Sequence, residues 1–167
     1  VARKHPSSFT GSSDHFVSNA FYFNDPEGNG VELYWDTERK FWEWDGGSVR
    51  MGTVYLDPNL FLQQNLTESG AAKPGDGDAG IGHVHLKVGD IATARRFYVD
   101  TLGFETTFEY GSQALFVSAG GYHHHVGMNT WHSSGAGTRT PALGLGQVSI
   151  EVPSKDDVGA LRERLAS

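Results

Sequence analysis

Residues 82–88, Gly-His-Val-His-Leu-Lys-Val, alternate polar and apolar side chains, the period of a half-buried strand. Asp90 follows as a helix N-cap. Ile91, Ala94, Phe97, Tyr98 and Leu102 then fall on one helical face, and Gly103 stands where a helix ends in positive φ. Three strands are expected next, over 104–109, 113–118 and 122–129, so residues 81–132 read as one β-α-β-β-β module.

The same pattern starts again further on. Residues 146–152, Gly-Gln-Val-Ser-Ile-Glu-Val, match 82–88 position by position. Ser154 takes the place of Asp90, with Asp157 three residues on in the manner of a capping box. Val158, Leu161 and Leu165 make the apolar face of a second helix. Residues 133–167 thus read as a loop, then the first strand and helix of a further module.

Before the complete module the pattern is that of a module's end. Residues 1–13 are polar and unpatterned and read as loop. Residues 15–23 read as a strand, 24–30 (Asn-Asp-Pro-Glu-Gly-Asn-Gly) as a turn, and 31–35 as the returning strand, so residues 1–36 close an earlier module. Residues 37–80 form the connection. A short helix is expected over 60–66 and a Gly/Pro/Asp-rich linker over 70–80. The fold class is therefore α+β, built from repeated βαβββ modules.

Composition narrows the function. The chain has 167 residues, 38% hydrophobic and 20% charged, as a folded globular protein has. The formal net charge is -7 and no basic run is present, which argues against a nucleic-acid partner. No apolar run reaches the length of a membrane span, so no membrane partner is expected. The absence of cysteine excludes disulfides and thiolate metal sites and suits a cytoplasmic location. The chain opens on Val1, and we read it as part of a longer protein.

The chemistry concentrates in histidine. Five of eight histidines lie in two short segments, His83 and His85, then His123, His124 and His125. Strand alternation puts His83 and His85 on one face, and His123 and His125 together with His124 turned away. Adjacent strands of a curved sheet would bring His83 to His125. Neutral imidazole binds Zn, Fe, Ni, Co and Mn. Glu32 reads either as an exposed strand carboxylate or as a ligand or acid/base group. Gln147, at the repeat position of His83, is a weak ligand or a solvent-facing side chain. Tyr98 and Tyr122 are candidate phenols, Tyr98 with a competing place in the core. No Ser-His-Asp pattern, P-loop or dinucleotide glycine fingerprint is present.

Residues 82–91 (Gly-His-Val-His-Leu-Lys-Val-Gly-Asp-Ile) and 94–104 (Ala-Arg-Arg-Phe-Tyr-Val-Asp-Thr-Leu-Gly-Phe) resemble the opening of a vicinal oxygen chelate module. This is the superfamily of glyoxalases, bleomycin-resistance proteins and extradiol dioxygenases. Residues 25–34 resemble the end of another such module. Together with 14–18 and 123–131, the chain is similar to two-domain bacterial proteins of the catechol-2,3-dioxygenase type. The resemblance implies modules paired into a curved, half-open β-barrel cup around one divalent metal, with Fe(II) first and Mn, Zn or Ni as alternatives. It implies His83 and His125 as ligands from the first and last strands of the middle module, Gln147 from the next module and Glu32 from the earlier one. His85, His123 and Tyr122 are then candidate catalytic groups. The Gln at 147 departs from the two-His, one-carboxylate set of extradiol enzymes and favours a glyoxalase-like layout. The expected partner is a small oxygenated, possibly catecholic, substrate, with self-association or docking of further modules of the same protein. The competing functions are ring cleavage, glyoxalase-like lyase chemistry, and non-catalytic sequestration of a small molecule or drug.

Overall fold

The computed structural model describes residues 4–72 and 79–166. The chain divides into two compact units, Val1–Asp45 with Val49–Ile81, and Gly46–Ser48 with Gly82–Ser167. Each is described by itself.

The first unit contains β1 (Phe9–Asp14), β2 (Ser18–Asn24), β3 (Gly30–Asp36) and β6 (Val54–Tyr55) in one antiparallel sheet of order β3-β2-β1-β6. The two-residue strands β4 (Trp44–Asp45) and β5 (Ser48–Val49) form a separate hairpin. The β2–β3 turn is fixed by Asp25, whose carboxylate accepts from the amides of Glu27 and Asn29 at 2.9 and 2.8 Å, while Gly28 takes φ +83. Helix α1 (Pro58–Asn65) is capped by Asp57, which accepts from the amides of Asn59 and Leu60, and carries Pro in its first turn. A short α2 follows (Glu68–Ala72). The linker reading falls partly on α2 and otherwise largely on 73–78, outside the described residues.

Two readings of this unit change. The stretch read as opening loop contains β1, which lies between β2 and β6 within the sheet. Its Thr-Gly-Ser-Ser-Asp sequence has no apolar alternation to signal a strand, and cross-strand pairing outweighs its weak propensity. The strand expected from residue 15 begins at Ser18, because His15, Phe16 and Val17 make the β1–β2 turn. The connecting stretch carries a one-turn 3-10 helix (Arg39–Phe41), the β4–β5 hairpin, β6 and α1, and Trp42 and Val49 are buried in it.

The second unit holds the βαβββ module. It runs β7 (Val84–Lys87), α3 (Ile91–Arg95) continued by a π-helical turn (Arg96–Thr101), β8 (Glu105–Tyr110), β9 (Ala114–Ser118) and β10 (Val126–Asn129). The sheet order is β7-β10-β9-β8, with β7 and β10 parallel and the other pairs antiparallel. Ile91, Ala94, Leu115, Val117, Val126 and Met128 form the core, with Val84, Leu86, Val88, Tyr98, Val99 and Phe104 packed on it. The chain is thus α+β, and its four-stranded sheets are open.

The helix departs from the expected face at its second half. Phe97 is 46% exposed, Tyr98 meets the core as expected, and Val99 meets it in place of Phe97. The π turn adds backbone between successive turns, visible in the bond from the Leu102 amide to the Phe97 carbonyl, five residues back. A straight 3.6-residue period therefore misplaces the residues after Arg96. Gly103 ends the helix at φ +85 as expected.

Asp90 is the N-cap, its carboxylate accepting from the Thr93 amide and hydroxyl, both at 2.7 Å. The bonds with Thr93 hold its carboxyl below the ordinary range. A lowered carboxyl contributes stability above its unfolded value of about 3.9 and loses it as pH falls through the folded value. Asp90→Ala is therefore expected to lower the thermal midpoint at neutral pH, and the difference from the unaltered chain should close on acidification below that range. An unchanged difference across the acid limb would contradict the cap.

Two more readings change in the last third. Residues 146–152 are outside any sheet among the described residues, with Val148 and Ile150 about half exposed. The strand pattern is present, but no strand bonds to it, and a strand exists only through its ladder. Helix α4 (Lys155–Ala166) does form, and Ser154 accepts from the Asp157 amide at 3.2 Å while bonding its carboxylate. Its expected apolar face is only partly covered, with Val158 and Leu165 about half exposed.

Candidate metal centre

His83, His85 and His124 are drawn together in the second unit. One nitrogen from each lies within 4.8 Å of the others. Ring centroids are 5.1 Å apart for His83 and His85, 4.3 Å for His83 and His124, and 5.5 Å for His85 and His124.

Strand geometry explains the first two. His85 lies in β7 and His83 stands two residues earlier, on the same face as the period of two requires. His124 arrives by another route. Strand β10 starts only at Val126, so the three histidines 123–125 occupy a bend where alternation does not hold. The structure groups His124, rather than His125, with His83 and His85. The His125 ring is held at the end of β9, its Nδ1 at 2.9 Å from the Ser118 hydroxyl and accepting from the Ala119 amide at 3.3 Å.

Register places Gly127 directly beside His85 across the β7–β10 pair. A Cβ on Gly127 would stand 2.6 Å from His85 Cε1 and 2.8 Å from its Nδ1. The bare Cα is thus the floor on which the His85 ring lies. Gly127→Ala is expected to push His85 off that floor and weaken metal binding roughly 10- to 100-fold, as loss of a supporting contact does. Unchanged affinity in a metal titration would contradict it.

The surroundings of the cluster are mixed. His123 is fully buried, and its Nδ1 lies 2.8 Å from Nδ1 of His124. One of these nitrogens must carry the hydrogen, so His123 fixes the orientation of the His124 ring. Thr107 donates to the His123 carbonyl at 2.6 Å and ties the bend to β8. Tyr122, also buried, lies over the His123 ring at 4.1 Å and near His125 at 5.0 Å. Phe116 turns its edge to His85 and His124, with centroids at 5.9 and 5.1 Å. Tyr98 is part of the packing around the core, where burial raises its phenol pKa.

The donor set fits a divalent metal. Imidazole nitrogens about 2.1 Å from a tetrahedral ion stand roughly 3.4 Å apart. Separations within 4.8 Å are closed by modest ring rotation. Three neutral imidazoles suit Zn, Fe, Ni or Mn.

Of the remaining candidates, Gln147 is exposed on the unpaired stretch 146–152. Glu32 belongs to the first unit. There it stands opposite Tyr22 in the β2–β3 register, and its carboxylate lies 3.9 Å from His15 Nε2. Nε2 of His15 is 2.5 Å from the Tyr22 hydroxyl. Burial, then the Glu32 charge and hydrogen bond, push the Tyr22 phenol far up, so it stays protonated. Neither Tyr22 nor His15 stands out as a candidate functional residue from the sequence pattern alone. The readable signal was the strand spacing that sets Tyr22 against Glu32.

Comparison with known proteins finds a family model, a curated relative and a solved structure. The family model for the glyoxalase/bleomycin resistance protein/dioxygenase superfamily matches residues 80–167. A Bacillus subtilis (strain 168) protein described as catechol-2,3-dioxygenase is 40% identical over 158 residues, covering 93% of this chain and 55% of that protein. The chain spans about half the length of this curated relative. A crystal structure of BphC, a halotolerant catechol dioxygenase, aligns at 21% identity and a TM-score of 0.32, covering 98% of this chain and 49% of that one.

Proposed function

Because the chain belongs to the glyoxalase/bleomycin resistance protein/dioxygenase superfamily, we propose that it is the metal-binding part of a ring-cleaving dioxygenase-type enzyme acting on a small catecholic substrate. The observation that carries this reading is the His83, His85 and His124 cluster, which lies inside the matched segment.

In this reading His83, His85 and His124 hold Fe(II), with Mn, Zn or Ni as alternatives. When bound, the cation supplies Lewis acidity toward adjacent substrate oxygens and, as Fe(II), electrons for dioxygen. His123 orients His124 through the Nδ1–Nδ1 hydrogen bond, and buried Tyr122 backs the His123 ring. This makes them positioning residues. His85, first considered as an acid/base group, is assigned as a ligand instead. Phe116 keeps water from one side of the cluster and offers an apolar edge to an aromatic ring.

An all-imidazole donor set also supports a second reading, glyoxalase-like Lewis-acid chemistry, because it lacks the carboxylate of the usual iron triad. Oxygen consumption separates the two. Protein loaded anaerobically with Fe(II) and then mixed with catechol in air is expected to take up oxygen and form a ring-opened product, and His83→Ala should abolish both. Metal and catechol binding without oxygen uptake would overturn ring cleavage in favour of the second reading.

A further inference from the structure

The two four-stranded sheets share a pattern that only one of them completes. In the second unit β8, β9 and β10 form an antiparallel meander, and β7 lies parallel along the outer side of β10. In the first unit β1, β2 and β3 form the same kind of meander, and β3 is the outer strand among the described residues. The difference shows in burial. On β10, Val126 and Met128 belong to one buried cluster with Ile91 and Ala94 of α3. On β3, Val31 and Leu33 are about half exposed and Trp35 is 75% exposed. The period of two puts these three side chains on one face. An apolar stripe along an outer strand is a surface that recruits a partner.

The last third of the chain carries a matching piece. Residues 146–152 repeat the pattern of 82–88, the segment of β7, position by position, yet they lie outside any sheet among the described residues. Helix α4 follows them as α3 follows β7, with Val158 and Leu165 about half exposed. Residues 146–166 are thus a strand segment and helix of the β7–α3 kind. Their apolar side chains are exposed, and so are those of the strand such a pair would cover.

We propose that this chain forms a dimer by exchange, in which residues 146–152 of one copy lie parallel along β3 of the other and α4 covers Val31, Leu33 and Trp35. The β7–β10 pair is the template for the parallel direction. There Val84 and Leu86 pack on the same core as Val126 and Met128, and Val148 and Ile150 take their places beside β3. The occupant is a second copy, because a single chain leaves both the segment and the stripe exposed. Each copy offers both halves of the contact, so reciprocal exchange closes on a two-fold axis. A strand, a helix and a sheet face from each copy enter the contact, the scale of a stable interface of about 20–30 residues a side. The proposal is independent of the metal reading.

Sedimentation equilibrium of the unaltered chain is expected to give twice the 18.2 kDa of one copy. Ile150→Asp and Leu33→Asp should each halve that mass, with the circular dichroism of the fold retained. Ile150 lies outside any sheet, so its variant tests the contact without touching a ladder. A monomeric unaltered chain, or a dimer that folded Ile150→Asp leaves whole, would overturn the proposal. The chain has no cysteine, so introduced thiols read the contact itself. A mixture of Val148→Cys and Leu33→Cys chains, treated with a short thiol cross-linker, is expected to give chiefly the mixed pair. Mainly like-with-like pairs would contradict the exchange. Cross-links closed within single chains of the Val148→Cys/Leu33→Cys double variant would also overturn it, assigning the stripe to the segment of its own chain.

Discussion

His124→Ala is expected to lower divalent-metal affinity by more than about 100-fold, since even loss of a group that merely supports a ligand costs roughly 10- to 100-fold. His125→Ala should leave affinity nearly unchanged. The contrast follows from the bend before β10. His124 turns toward His83 at a centroid distance of 4.3 Å, whereas His125 turns to Ser118. A competition titration against a chelating dye reads both variants side by side. Equal losses in the two, or a larger loss for His125→Ala, would restore the strand-alternation picture in which His125 is the ligand. Circular dichroism on the same samples separates ligand loss from unfolding.

Leu115→Ala is expected to cost about 2–5 kcal/mol, enough to remove much of the stability of an ordinary domain. Leu115 is fully buried in β9 and belongs to the cluster formed with Ile91, Ala94, Val117, Val126 and Met128. Truncation leaves a cavity where helix and sheet meet, and β9 is the strand against which β10 and its preceding bend are laid. Leu115→Met, which nearly conserves volume, should cost less than about 1.5 kcal/mol. Phe97→Ala is the informative comparison. A continuous α-helix would bury Phe97 and make its loss as severe as that of Leu115. The π turn leaves it 46% exposed, so a cost of about 1 kcal/mol or less is expected. Denaturant unfolding of the three variants measures the order directly.

Where local chemistry decides structure, the chain was readable. Asp90 and Gly103 bracket a helix because each satisfies a specific need of a helix end, and both do so here. Ser154 with Asp157 is the same case. The Asp25 turn follows from its own side chain. The connectivity of the module at 81–132 followed from these signals, and residues that match a known module placed it in a family.

What could not be read depends on partners distant in sequence or on small departures from a regular period. Strand β1 has little apolar content and exists because β2 and β6 flank it. Residues 146–152 carry the opposite lesson, a strong strand pattern without a ladder. In the His123–His125 triplet, period-two alternation assumed a strand that begins only at Val126, so it pairs His125 with His83, whereas the cluster groups His124 with His83 and His85. In the helix, one π turn moved Phe97 out and Val99 in. The His15 ring on the β1–β2 turn bonds the Gly52 carbonyl, 37 residues away. Candidate site residues were thus legible as a set of histidines, and their geometry was not.

The most direct measurement is an anaerobic titration of Fe(II), repeated with Zn(II), into chelator-treated protein and into a His83→Ala/His124→Ala double variant. The account expects about one tightly bound ion per chain in the unaltered protein and none in a folded double variant. A folded unaltered chain that takes up no stoichiometric metal, or a double variant that still binds one, would contradict the three-histidine centre.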